Sequence, residues 1–176
     1  MRTLGKVDWR LMTVKAVFHT GVTVSNLDIS IPFYRDVLGL RLKFGPTPPA
    51  SGQELSQAVG VEKAVARLAI LEAENGDGLE LVEYLSPPSP LTKPAPANAL
   101  GAAHLALLVE DLDQVVERLR AKGVEFLSPA QVVDEGPAVG WHWVYLRDPD
   151  GIAVELIALD ERAHRNRAVE GSRQNW

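Results

Sequence analysis

Apolar and polar positions alternate through residues 14–24, which puts His19, Gly21 and Thr23 on one face of a predicted strand and Phe18, Thr20, Val22 and Val24 on the other. Over residues 28–38 the period lengthens. Ile29, Phe33, Val37 and Leu38 form a helical stripe, Ser25 or Asn26 offers a cap, and Gly39 a stop. Pro32 is comfortable only in a first turn, which favours a regular start near Ser30. A strand at 39–44 follows. Residues 45–61, opening on Gly-Pro-Thr-Pro-Pro, predict an extra loop with a short helical turn, of the size that often serves as a substrate lid or partner contact. Strands at 64–73 and 79–85 flank Glu74-Asn-Gly-Asp-Gly78, a strong hairpin signal.

The pattern then starts again. Residues 86–99 hold five prolines in fourteen positions and read as a stiff connector. Beyond it His104, Val109, Asp111, Leu112 and Asp113 repeat, 85 residues later, the register of His19, Val24, Asn26, Leu27 and Asp28. A helix at 112–122 carries Leu112, Val115, Val116 and Leu119 and stops at Gly123, with a strand at 123–127 after it. Strands at 141–146 and 152–159 flank the turn Arg147-Asp-Pro-Asp-Gly151. Both copies end on an apolar strand with a central carboxylate, Leu79-Glu80-Leu81 and Val154-Glu155-Leu156. An internal duplication explains all of this. The expected organisation is an arm at 1–13, a βαβββ module at 14–85, a linker at 86–99, a second βαβββ module at 100–159 and a charged tail at 160–176. The fold class is α+β, with a curved mixed sheet around a cavity into which His19, Glu80, His104 and Glu155 point.

Composition narrows the chemistry. An apolar fraction of 46% over 176 residues suffices for a buried core. The absence of cysteine removes disulfides, thiolate ligands and a thiol nucleophile. A net charge of −5 without a Lys/Arg run gives no reason to expect nucleic acid or an anionic membrane, so a small-molecule partner is expected. No run of eighteen apolar residues occurs, and Met1-Arg-Thr-Leu-Gly-Lys lacks the features of a secretion signal, which points to the cytoplasm.

Two imidazoles and two carboxylates suit one divalent ion, Ni, Co, Mn, Fe or Zn, and leave one or two coordination positions open for a reactant. A single His or Glu in a strand is more often a satisfied buried polar group than a ligand. Recurrence at matching places in two copies points to ligation, because a shared cation removes the cost of burying Glu80 and Glu155 unpaired.

His19-Thr-Gly21, Val24, Asn26-Leu-Asp28, Phe33-Tyr-Arg-Asp-Val-Leu-Gly-Leu40, Asp148-Pro-Asp-Gly151 and Glu155-Leu156 resemble the vicinal oxygen chelate superfamily, which includes glyoxalases, bleomycin-resistance proteins and extradiol dioxygenases. The resemblance covers residues 14–159 and implies paired modules around a divalent metal, usually in a homodimer. Extradiol dioxygenases and fosfomycin-resistance transferases use two His and one Glu, matching His19, His104 and Glu155. Glyoxalase I adds a glutamate where this chain has Glu80, so its metal set is the closest. By that analogy Glu155 is the catalytic base, and Glu80 serves as a ligand or as the base on the opposite face.

No basic cluster is placed to hold the carboxylates of glutathione, and no phosphate-cradling loop stands out for coenzyme A. The inward faces offer Val82, Tyr84, Ala106, Leu108 and Ile157 instead, which suits an apolar ligand. Tyr145 stands ten residues before Glu155, the offset at which extradiol dioxygenases carry an active-site tyrosine. If strand parity turns Tyr145 inward, Trp141 and Trp143 line the pocket beside it and His142 faces out; a four-residue hairpin would reverse this. Tyr34 is expected to pack on its helix, and His164 to be solvated in the tail. The combined expectation is a metal-dependent lyase or isomerase that abstracts a proton next to a metal-bound carbonyl of a small, fairly apolar substrate. The alternatives are an Fe(II)-dependent extradiol-type dioxygenase and a non-catalytic binding or resistance protein.

Overall fold

Residues 15–159 are described in the computed structural model, and the expected arm at 1–13 and tail at 160–176, with His164, lie outside them. The first half runs β1 (His19–Thr23), α1 (Leu27–Pro32), β2 (Arg41–Phe44), β3 (Ala50–Ser51), α2 (Gln53–Val59), β4 (Val65–Glu72) and β5 (Gly78–Ser86). The second runs β6 (Leu105–Leu108), α3 (Leu112–Ala121), β7 (Gln131–Val132), β8 (Trp141–Arg147) and β9 (Ala153–Leu159). The class is mixed α+β, as expected. The strands form two sheets: β1-β5-β4-β2 with β3 added to β4, and β6-β9-β8-β7. In each the histidine-bearing segment and the glutamate strand lie side by side in parallel, β1 on β5 and β6 on β9.

Alternation gives each sheet one closed and one open face. Ala69, Leu71, Leu79 and Leu81 of the first sheet join Leu27, Ile31 and Tyr34 of the helical segment in the core; Val144, Leu146, Val154 and Leu156 of the second join Leu112, Val116 and Leu119 of α3. These form one continuous cluster that bonds the halves. At about 25 cal/mol per Å² of apolar surface, burial on this scale is the main stabilising contribution. The residues between them in sequence, Glu80 and Val82 on β5 and Glu155 and Ile157 on β9, therefore lie on the open faces.

Three elements differ from the sequence reading. The first helix starts at Leu27, capped by the Asn26 side chain accepting from the Asp28 N–H at 2.8 Å, so Pro32 falls in its last α-helical turn. Proline has no N–H for the backbone ladder. The chain widens immediately afterwards into a π-helical turn over Phe33–Val37, closed by the Leu38 N–H donating to the Phe33 carbonyl at 3.1 Å. The strand expected at 123–127 reduces to a single bridge between Phe126 and Leu146, and the edge of the second sheet is instead β7, beyond Ser128-Pro129. The loop at 45–61 is stitched onto β4 through β3. Gly45 makes this route possible: its φ is 99°, and a Cβ there would lie 2.7 Å from the Ala69 Cα.

The Asp148-Pro-Asp-Gly151 turn clasps the first half. Asp148 accepts from the Tyr34 hydroxyl at 3.0 Å and from the N–H groups of Asp150 and Ile152 at 2.9 and 2.7 Å, while Asp150 accepts from the Ser25 N–H at 2.8 Å. Tyr34 is fully buried, so it does more than pack on its helix. Burial, reinforced by the charge and hydrogen bond of Asp148, pushes its phenol far above the ordinary range, and burial likewise raises the Asp148 carboxyl. Below about pH 10 the Tyr34 phenol is protonated in both folded and unfolded chains, and its contribution to stability is fully present. As pH rises further the unfolded phenol ionises while the folded one keeps its proton, so stability falls. Tyr34→Phe should lose less stability than the unmodified protein between neutral pH and about pH 11, read as urea midpoints. Parallel declines in the two proteins would contradict this account.

Candidate metal and active site

On the first sheet, His19 and Glu80 meet across β1 and β5, with His19 Nε2 3.4 Å from Glu80 Oε2. Gly21 stands directly beside Glu80 in the register and leaves its carboxylate uncrowded. Thr23, Val82 and Ile70 continue this face by register, Ile70 lying opposite Glu80. On the second sheet, His104 Nε2 lies 3.0 Å from Glu155 Oε2. Here Ala106 stands beside Glu155 and Tyr145 opposite it.

The hairpin between β8 and β9 leaves five residues between the paired Arg147 and Ala153, and this odd count turns Tyr145 and Trp143 toward Glu155. His142 lies on the other face, opposite Ala158. The Tyr145 ring meets His104 edge-on at 5.3 Å and Trp143 at 5.6 Å between centroids. Burial first, then the charge of and hydrogen bond to Glu155, raises the Tyr145 phenol above its ordinary value.

The quartet expected in one cavity is thus two pairs. Among the described residues no three His, Cys, Asp or Glu side chains are grouped closely enough to hold a cation. A cleft of about 1190 Å³ separates the β1 and β6 edges, and of the four donors only His19 lines it. The pairs remain apart because the two sheets share their closed faces, which turns the open faces away from a common centre within one chain. Both open faces carry exposed apolar side chains, among them Phe44 and Leu108.

The spacing within each pair fits a cation. Ligand atoms about 2.1 Å from a metal and about a right angle apart are separated by about 3 Å, close to both observed distances. Two imidazole nitrogens and two carboxylate oxygens suit a borderline divalent ion.

One carboxylate on β5 escaped the sequence reading. Glu83 faces the core, where it accepts from the Leu27 N–H at 2.9 Å and from Arg67 Nε at 2.8 Å, while the Arg67 guanidinium also pairs with Asp28 at 3.1 Å. Its signal was parity: three residues from Glu80, it belongs to the opposite face of the strand.

Paired α+β halves built by duplication define a class of folds, and the chain belongs to the Glyoxalase/Bleomycin resistance protein/Dioxygenase superfamily, whose family model matches residues 16–156. It is 36% identical over 147 residues to a 2-epi-5-epi-valiolone epimerase of Actinomyces sp, covering 82% of this chain and 79% of that protein. It is 31% identical over 141 residues to the lactoylglutathione lyase of Haemophilus influenzae, covering 80% and 90%. A glyoxalase family protein from Bacillus cereus superposes with a TM-score of 0.67 at 26% identity, over 84% of this chain and 98% of that one. Members of this family bind small-molecule substrates. None of the described helices is long and apolar enough to cross a membrane.

Proposed function

We propose that this chain is a divalent-metal-dependent isomerase of the epimerase type, acting on a small carbonyl compound at a site built from His19, Glu80, His104 and Glu155. The observation that carries this reading is the recurrence of one His–Glu pair, at metal-ligand spacing, at the same place on each duplicated open face. The relative named as an epimerase supports this reaction type.

A cation held by the quartet would polarise a substrate carbonyl and make the adjacent C–H acidic. Epimerisation breaks that C–H bond on one face and re-forms it on the other, so it needs a proton acceptor and a proton donor on opposite sides. Glu80 and Glu155 come from separate halves and meet that need. One carboxylate takes the proton, the electron pair stays with the substrate carbonyl system, and the other, already protonated, returns a proton to the opposite face. The apolar walls, Val82 and Ile70 on one side and Ile157 and Trp143 on the other, keep water from the reacting carbon.

The four donors come together in a homodimer, with His19 and Glu80 of one copy facing His104 and Glu155 of the other. The exposed apolar open faces support this arrangement, since pairing them covers them.

The direct test supplies Ni, Co, Mn, Fe or Zn one at a time and follows deuterium exchange from solvent into small ketones by NMR. Exchange that needs the metal and falls at least about a hundredfold in Glu155→Gln is the expected result. Absence of exchange with all five metals, together with oxygen uptake on a catechol with Fe(II), would replace this reading by the dioxygenase, to which Tyr145 beside His104 lends support.

A further inference from the structure

In each half the histidine and the glutamate take diagonal corners of a small grid on two adjoining parallel strands. In the first half the remaining corners are Gly78, in register with His19, and Gly21, in register with Glu80. In the second they are Ala106, in register with Glu155, and Ala153, which precedes the Val154 that pairs with Leu105. The corners that are alanine in one half are glycine in the other, and the two glycines are not equivalent. Neither has a positive φ, so what each supplies is space and not backbone freedom. A Cβ at Gly21 would meet the Glu80 Oε2 at 3.5 Å, an ordinary contact with the movable end of a side chain. A Cβ at Gly78 would lie 3.1 Å from the His19 Cβ and 3.2 Å from the Phe18 carbonyl oxygen. One of those atoms belongs to the chain leading into β1 and the other is fixed directly to it, so no change of rotamer relieves the crowding. The strand starts differ accordingly: His19 is the first residue of β1, whereas His104 stands one residue ahead of β6.

We infer that Gly78 is a positioning residue for His19: by carrying no side chain it lets the start of β1 close onto β5, and that approach sets the imidazole at ligand spacing from Glu80. This rests on the metal-dependent reading above and adds to it the residue that holds the first-half pair in place. An alanine at 78 would push the start of β1 off β5 by a few tenths of an ångström, and His19 would travel with it because the contact is at its root. Sliding offers no escape, since the register of β1 with β5 runs unbroken from His19 to Thr23. Metal–ligand distances tolerate only about 0.2 Å, so a shift of this size weakens ligation.

The test titrates Co(II) into the full chain and its variants by calorimetry and by the visible absorption of the bound ion, with near-ultraviolet circular dichroism as the control for folding. Gly78→Ala should weaken Co(II) binding about tenfold and alter the absorption band, the effect expected when a ligand loses its orientation. Gly21→Ala, on the same pair of strands, should cost no more than about threefold, because its Cβ meets only a movable carboxylate. Should Gly78→Ala not fold, the double variant Gly78→Ala, His19→Gly should fold, since it removes the Cβ that the alanine meets first. Unchanged binding in Gly78→Ala, an equal or larger loss in Gly21→Ala, or a double variant that fails to fold along with the single one would overturn the inference while the metal-dependent reading stands. A protein that binds no Co(II) at all would overturn both.

Discussion

Co-expression of a His19→Ala, Glu80→Ala chain with a His104→Ala, Glu155→Ala chain should recover about a quarter of the activity of the unmodified protein, although each chain alone has none. Every homodimer of either variant lacks two donors in both of its sites. In a heterodimer whose sites are shared between copies, one site collects all four lesions and the other none. Random pairing makes half of the dimers mixed, and half of their sites are intact. The motive is that each chain presents a His–Glu pair on each of two sheets, and no cluster of three donors forms among its described residues. Metal stoichiometry provides a second readout, since bound metal should recover in step with activity. If the four donors instead met within one chain by closure of the cleft between β1 and β6, mixing would recover nothing.

Glu83→Ala should destabilise the fold by about 3 kcal/mol, the lower end of the range for breaking a buried ion pair. The substitution removes the acceptor of the buried Leu27 N–H, so the first turn of α1 loses a partner that Asn26 does not replace. It also strips Arg67 of its partner inside the core, leaving it only the exposed Asp28. Glu83→Gln should cost less, because the amide oxygen still accepts. Urea unfolding with an unchanged slope and a shifted midpoint is the measurement. A loss below about 1 kcal/mol for Glu83→Ala would show that Asp28 and water take over both bonds. The neighbouring Glu80→Ala should leave stability nearly unchanged, since it removes a carboxylate from an open face. Two glutamates on one strand thus separate onto a core face and an open face through parity alone.

Several local features were legible before any tertiary structure. Strand alternation put Glu80 and Glu155 on the faces opposite those of their apolar neighbours, and of the two caps the sequence offered for the first helix, Ser25 and Asn26, the structure uses Asn26. Pro32 signalled trouble in the first helix, but nothing local said whether the chain would start late or widen. The capping bond at Asn26 and the burial of Leu27 fix the early start, and the π-helical turn takes up the backbone mismatch after Pro32. The strand at 123–127 failed for a different reason: its alternation was real, yet Phe126 found only Leu146 as a partner before Pro129 interrupted. The turn at Asp148 read as a hairpin and proved also to be the acceptor for Tyr34, a bond between residues 114 apart that no local pattern encodes.

By itself the sequence determined the duplication and the alternation of each strand, and it singled out His19, Glu80, His104 and Glu155 as candidate ligands, because these readings depend on spacings of two to four residues and on direct repetition. The tertiary structure decided how the halves meet. Each closed face must be buried, and apolar faces of similar size satisfy that demand in more than one docking; here the closed faces share one core, so the donor pairs of one chain stay apart. Burial of apolar surface is non-directional, and only the complete packing of both halves selects among the dockings that the pattern permits.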